Sequence, residues 1–308
     1  MWRYIGRRLL GAVPTVFIVI TVAFFMMRLA PGGPFLLDRP LPDQIMENLM
    51  RVYQLDQPLW VQYTSYLKNI IRGDFGPSLI YRDFTVAELI AGGLPVSIQF
   101  GVSALLIALG LGTLLGTLAA LYQNRGGDYL VMGVATFGMT IPNFVVAPVL
   151  SFIFGIALGW LPTSGWGDGT ISYKVLPIIC LMLPQMAIIT RLTRAGMIEV
   201  LRSEPIRTAH AKGLPTRVVL TRHALRGAIL PVISYLGPAA AALLTGSVVI
   251  ETIFGVPGIG RYFVQGALNR DYTLVMGTVL LISVFILLFN LLVDIIYSVL
   301  DPRVIYDD

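Results

Sequence analysis

Hydrophobic residues in this chain neither alternate nor repeat along a single helical stripe; they come in long runs. Six stretches contain no Asp, Glu, Lys or Arg: residues 9–27, 89–124, 129–167, 175–190, 227–250 and 272–293. A helix needs about 20 mostly apolar residues to cross the hydrocarbon of a bilayer, so each run suits one crossing. The second and third are too long for one straight helix and too short for two helices with a turn. Each therefore reads as one span with an uncharged shoulder at the interface. The fourth is short, and Arg191 and Arg194 lengthen it by a turn if they snorkel from its end. The pattern predicts an all-α polytopic membrane protein, one transmembrane domain over residues 1–308, with six transmembrane helices at roughly 9–29, 98–122, 131–158, 175–194, 229–250 and 273–297.

The few charges orient these spans. Arg3, Arg7 and Arg8 precede the first span without an acidic neighbour, which assigns the amino terminus to the cytoplasm. Six spans then return the carboxyl terminus to the same side. Between spans four and five lie Arg191, Arg194, Arg202, Arg207, Lys212, Arg217, Arg222 and Arg226 against only Glu199 and Glu204, so residues 196–226 form a cytoplasmic loop. Between spans one and two, five basic residues (Arg39, Arg51, Lys68, Arg72, Arg82) face seven acidic ones (Asp38, Asp43, Glu47, Asp56, Asp74, Asp83, Glu88), which assigns residues 31–94 to the outside. The apolar run after the first arginines exceeds the about 7–15 residues of a secretory signal and lacks a clear small-x-small cleavage site, so it reads as an uncleaved first span.

The outer segment is too long for a connector and too apolar to stay disordered. Ile45, Leu49 and Val52 recur at helical spacing after Pro42, and Trp60, Tyr63, Leu67 and Ile70 do so after Pro58. Two short amphipathic helices follow, lying against the membrane domain or docking an outside partner. In the cytoplasmic loop, Ser203 is placed to cap a short helix with Pro205 in its first turn, and Gly213 followed by Pro215 to end it. Ile206 and Ala209 share one face, while Arg207, His210 and Lys212 keep the other in water.

Composition agrees with a membrane class: 56% of residues are hydrophobic and only 13% charged, with a mean hydropathy of +0.78. The net charge of +5 is explained by topology, since 13 of the 22 basic residues, Arg125 and Arg303 among them, fall on the inner side, and it gives no sign of a nucleic-acid partner. Cys180 stands alone in an apolar run and reads as a small buried hydrophobe, so no disulfide and no cysteine metal site is expected. His210 and His223 lie on the basic loop without a third ligand nearby, and no metal site is assigned. No G-x-x-x-x-G-K-[ST] occurs, so ATP, if used, is bound by another subunit. Glu251 and Asp294 sit at opposite chain ends of spans five and six, unlike the paired carboxylates of ion-coupled carriers. Gly101, Gly110, Gly112 and Gly116 in span two allow close helix approach. Pro142, Pro148, Pro177, Pro184, Pro231 and Pro238 predict kinks in spans three to five, which suit a moving pathway and a static bundle alike.

The cytoplasmic loop also resembles a known family. Residues 206–215 (Ile-Arg-Thr-Ala-His-Ala-Lys-Gly-Leu-Pro), with Arg222-His223-Ala224-Leu225 and Leu230-Pro231-Val232, are similar to the conserved loop of ABC-importer permeases of the oligopeptide and dipeptide branch. Arg28-Leu29-Ala30-Pro31-Gly32, Gly73-Asp74-Phe75-Gly76-Pro77-Ser78, the run Glu251 to Gly260 and Arg270-Asp271-Tyr272 resemble signatures of that branch's first membrane subunit. The resemblance implies a six-span, type I ABC-importer-like permease in a bacterial inner membrane. It pairs with a homologous second permease, two cytoplasmic ATPases that bind ATP and Mg, and an extracytoplasmic peptide-binding protein, with no cofactor in this chain. It also implies that Ile206, Arg207, Thr208, Ala209, His210, Ala211, Lys212 and Gly213 form the helix that couples to an ATPase. The general importer motif begins Glu-Ala-Ala where this chain has Arg207, Thr208 and Ala209, the basic variant of the peptide branch. The substrate-binding residues stay unassigned. A stand-alone ion-coupled carrier, a protein of assembly only, and cargo such as nickel complexes or glutathione remain the alternatives.

Overall fold

Thr85 begins the longest helix, and the reason is local. Its hydroxyl accepts from the Glu88 amide at 3.2 Å while the Glu88 carboxylate accepts from the Thr85 amide at 2.8 Å, a reciprocal capping box. The computed structural model describes residues 2–29, 43–81 and 83–300. These hold helices α1 Trp2–Leu29, α2 Asp43–Val52, α3 Leu59–Ile71, α4 Val86–Leu121, α5 Gly126–Thr140, α6 Asn143–Leu150 with a π-helical continuation Ser151–Ala157, and α7 Ile171–Leu201. There follow α8 Glu204–Ala211, α9 Thr216–Val218, a π-helical turn Val219–Ala224, α10 Leu225–Ala228, α11 Leu230–Phe254, α12 Ile259–Leu268 and α13 Tyr272–Leu300. Among the described residues the only strand-like pairing is one antiparallel bridge between Pro77 and Thr85.

Leu10–Leu29, Val86–Leu121, Ile171–Leu201 and Tyr272–Val293 are each long and apolar enough to cross a bilayer alone. Three bent pairs also qualify: Gly126–Thr140 with Asn143–Ala157 (104°), Thr216–Ala228 with Leu230–Leu243 (52°), and Ser247–Phe254 with Ile259–Leu268 (85°). Five of the six predicted spans each fall on one of these elements with different ends, while span five, 229–250, covers the Leu230–Leu243 arm of one bent pair and the start of the Ser247–Phe254 arm of another. Helix α4 runs 36 residues, about 54 Å at 1.5 Å per residue, because the Thr85 cap starts it three turns before the predicted boundary. Helix α7 runs through Lys174, Arg191, Arg194 and Glu199, charges that ended the uncharged run without ending the helix. Its Pro177 and Pro184 lie inside an unbroken helix.

Predicted span three is not one rod. Pro142 drives the residue before it out of the helical region, and Ile141 (φ −82°, ψ 121°) and Pro142 (φ −61°, ψ 141°) form a two-residue break. This bend and the π-helical turn account for an uncharged run too long for one straight crossing.

Of the four glycines of span two, Gly112 and Gly116 serve close approach. A Cβ on Gly116 would meet the Thr190 carbonyl oxygen at 2.5 Å, and one on Gly112 the Ile189 side chain at 2.8 Å, so α4 and α7 pack backbone to backbone. Gly110 faces open space, and Gly101 only reaches Leu243. The largest apolar cluster joins Phe100 and Ala104 of α4, Ala147 of α6, Leu176, Cys180 and Leu181 of α7, and Leu243, Ile250 and Phe254 of α11. Cys180 is fully buried there, as its apolar surroundings predicted.

Helices α2 and α3 form where the periodicity placed them, while Pro42, Arg82 and Arg303 lie outside the described residues. The half-buried stripe of α3 is Tyr63, Tyr66, Leu67 and Ile70, packed on Ile20 and Phe24 of α1 and Met276 and Leu280 of α13. Trp60, expected on that stripe, is 68% exposed, since it sits in the first turn at the stripe's edge. The Tyr63 and Thr21 hydroxyls hydrogen-bond at 2.6 Å, so α3 lies beside α1 well below the end of that helix at Leu29.

Candidate functional site

Ser203 holds the N-cap position of α8 (φ −77°, ψ 154°), and its carbonyl accepts from Ile206 and Arg207 at 3.2 Å each. Its hydroxyl makes no capping bond, contrary to the sequence reading. Pro205 removes one of the two amides such a hydroxyl reaches, and the other, on Ile206, is already bonded to the Ser203 carbonyl. The far end closes as predicted. Gly213 adopts φ +74°, its amide bonds the His210 carbonyl at 2.9 Å, and the Leu214 amide bonds the Ala209 carbonyl at 3.3 Å. That pair of bonds is a Schellman motif, completed by Leu214 and Ala209 sharing one apolar cluster.

The same cluster seats the helix. Ile206 and Ala209 are buried against Met197 at the end of α7, Val219 and Ala224 of the π-helical turn, Ala228 of α10 and Ala120 at the end of α4. Arg207, Thr208, His210, Ala211, Lys212 and Gly213 are exposed, so all eight predicted site residues lie on one short element split into a seated and an open face. On the open face Arg207 pairs with Glu204 at 2.7 Å, an exposed one-turn pair that contributes well under about 1 kcal/mol.

The platform under α8 is tied in several directions. A Cβ on Gly196 would meet the Ala228 carbonyl oxygen at 2.5 Å, which brings α10 against α7. Less than one turn before Met197, Arg194 makes a bidentate ion pair with Asp128 of α5, both contacts at 2.6 Å, and Asp128 also accepts from the Asn124 amide at 2.9 Å. Arg194 was expected to snorkel toward the interface; it is engaged by a buried carboxylate instead. Sequence reasoning missed this pair, because Asp128 lay just outside an uncharged run and nothing local marks its partner.

At the opposite end the signature motifs meet one another. Glu251 is 1% exposed and accepts from the Ser97 hydroxyl at 2.6 Å, the Gly260 amide at 2.7 Å and the Arg261 amide at 3.4 Å. A carboxylate here caps the start of α12. Gly258 is glycine for the same reason, since a Cβ there would lie 2.3 Å from the Glu251 carboxyl carbon. Asp271 likewise caps α13 through the Leu274 amide (3.0 Å) and also accepts from the Leu79 amide (3.0 Å), the Ile80 amide (3.2 Å) and the Ser78 hydroxyl. Arg28 lies over the Tyr272 ring at 4.8 Å, while Ala30, Pro31 and Gly32 of its motif lie outside the described residues. Three signatures separated in the chain thus build one corner.

A bundle of membrane-crossing helices with one short docked helix on its basic loop is the form of a transport permease. Residues 112–306 match the family model described as the binding-protein-dependent transport system inner membrane component, and residues 1–79 match the N-terminal model of such components. The chain belongs to this family of inner-membrane transport permeases. It is 52% identical over 306 residues to the oligopeptide transport system permease protein OppB of Salmonella typhimurium, covering 99% of this chain and 100% of that protein. It is 51% identical over 306 residues to OppB of Haemophilus influenzae, with the same coverage. The dipeptide transport system permease protein DppB of Bacillus subtilis is 42% identical over 304 residues, 99% of this chain and 98% of that one. A solved structure, an amino acid ABC transporter with histidines, aligns with a TM-score of 0.48 and 16% identity over 71% of this chain and 95% of that chain, too loosely to inform any detail.

Proposed function

We propose that this chain forms half of the translocation pathway of an ATP-driven, binding-protein-dependent peptide importer and receives the ATPase movement through α8. In this reading two ATPases on the cytoplasmic side bind ATP and Mg, a homologous permease supplies the other half of the pathway, and a peptide-binding protein delivers cargo outside. The observation that carries it is the division of α8: Ile206 and Ala209 seat it on the ends of α4, α7 and α10, while Arg207, Thr208, His210, Ala211 and Lys212 face outward. A rigid, capped helix held this way passes a push into the spans, which a solvated loop cannot do. Full-length similarity to oligopeptide and dipeptide permeases supports peptide as the cargo class. The buried Glu251 does not favour an ion-coupled carrier, because its oxygens are taken up by Ser97 and the amides at the start of α12.

The test is reconstitution. The chain, its partner permease, the ATPases and the binding protein are assembled in proteoliposomes, and uptake of a labelled oligopeptide is followed. Uptake requiring both ATP and the binding protein is the expected result. Uptake by this chain alone, driven by an ion gradient without ATP, would overturn the reading.

A further inference from the structure

Helix α7 seats α8 and also packs against α4, α5, α10 and α11. Met197, Val200 and Leu201 lie in or against the cluster holding Ile206 and Ala209. One turn earlier, Gly116 of α4 abuts Thr190, Thr193 and the Arg194 amide. From the Gly116 level Arg194 projects to α5. Its guanidinium takes Asp128 in a fork, Nε to Oδ1 and a terminal nitrogen to Oδ2, both at 2.6 Å. The Asp128 side chain is 2% exposed and that of Arg194 23%. Asp128 further accepts from the amide of Asn124, whose left-handed backbone (φ +60°) closes the α4–α5 turn.

The arrangement is asymmetric in a useful way. Packing of α4 on α7 is made by glycine and backbone, and it locks those two helices together. Helix α5 leads directly into the break at Ile141 and Pro142, where two non-helical residues separate it from α6 by 104°. A short break of this kind absorbs backbone rotation while the helices on each side stay rigid. The bidentate pair near the start of α5 therefore grips the end of a lever whose hinge lies at the other end.

We propose that the Asp128–Arg194 pair positions the hinged span, transmitting displacement of α8 and α7 into rotation of α5 about the Ile141–Pro142 break. The proposal rests on α8 being the ATPase-coupling helix. It requires a contact stiff in both distance and orientation, and a planar guanidinium fork on a carboxylate supplies both, whereas a lysine supplies only charge.

The test uses the full complex in proteoliposomes and reads peptide uptake per ATP hydrolysed, together with co-purification of the ATPases. Asp128→Asn keeps the volume and the bond from Asn124 but removes the charge, and Arg194→Lys keeps the charge but loses the fork. Both are expected to retain the ATPases and to hydrolyse ATP, with uptake per ATP reduced by about threefold or more, the scale on which removal of one coupling contact acts. The reversed pair Asp128→Arg with Arg194→Asp should regain part of that loss. Recovery stays partial, because the new arginine cannot accept the Asn124 amide. Unchanged uptake per ATP in both single variants, while Gly213→Val uncouples, overturns the role of the pair and leaves the coupling helix standing. Unchanged uptake in Gly213→Val as well overturns both readings. Loss of the ATPases from both single variants makes the pair structural and also overturns the proposal.

Discussion

The Ser97 hydroxyl donates to Glu251 Oε1 at 2.6 Å and at the same time accepts from the Ile259 amide at 2.9 Å. One small side chain on α4 thereby ties both arms of the bent α11–α12 pair, 154 residues away along the chain from its carboxylate partner. Every group around the carboxylate that the structure records is a donor: Ser97, Ser247 and the amides of Gly260 and Arg261.

Glu251→Gln places an amide NH2 among those donors, so at least one bond is replaced by a repulsive contact. A loss of about 1.5–3 kcal/mol is expected, the scale for hydrogen bonds to a charged group. Ser97→Ala should cost less, about 1 kcal/mol, because only a neutral hydroxyl is lost. Thermal unfolding of the detergent-solubilised protein, followed by tryptophan fluorescence, checks both. Equal midpoints for wild type and Glu251→Gln would show that the network adds nothing.

Glycine substitutions separate close packing from mere small size. Gly260→Ala drives its Cβ to 2.3 Å from the Val248 Cα, and Gly116→Ala to 2.5 Å from the Thr190 carbonyl oxygen, neither of which is a flexible side-chain tip. Each is expected to destabilise by about 1–3 kcal/mol. Gly110→Ala, with open space around it, should be neutral or slightly stabilising in the same unfolding measurement.

Gly213 tests backbone conformation alone, since nothing lies within 4 Å of a Cβ built there while φ is +74°. Gly213→Val should cost about 1–2 kcal/mol at this stop and loosen the end of α8, lowering peptide-stimulated ATPase activity while membrane insertion is normal. Gly213→Asn, which tolerates the left-handed region, should retain most activity. Loss of activity in both to the same degree would rule out the backbone explanation.

Asp271→Asn keeps an oxygen for the Leu274 cap but turns an amide toward the donors of Ser78, Leu79 and Ile80. The segment 76–81 should detach before the bundle does. Limited proteolysis is expected to cut there at least about threefold faster than in the wild type, as local opening precedes global unfolding. An unchanged cleavage rate would show that the bridge between Pro77 and Thr85 holds the segment unaided.

Features that depend on near neighbours were legible in the sequence. The seated and open faces of α8 followed from the spacing of Ile206 and Ala209 and from the stop at Gly213. Predicted span six, 273–297, falls within α13, and span five, 229–250, overlaps α11 from Leu230. The failures share a cause. The Asp128–Arg194 pair went unseen because its two charges lie 66 residues apart in the chain. Ser203 was credited with a side-chain cap that Pro205 leaves without a free amide. Glu251 was read as a carboxylate at the end of span five and the head of a signature run, without its partners, because neither Ser97 nor the backbone amides that hold it carry any local mark.

By itself the sequence determined that this protein is a helical membrane protein with a short helix on a basic loop, since twenty apolar residues in a row, a run of arginines or a glycine after a helix exert their effects on neighbouring chain and solvent alone. The tertiary structure decided which glycines are contact points, which partners hold Glu251 and Asp271, and which charges are buried in pairs. Those outcomes depend on the distance between residues far apart in the chain, and only the packed bundle sets that distance.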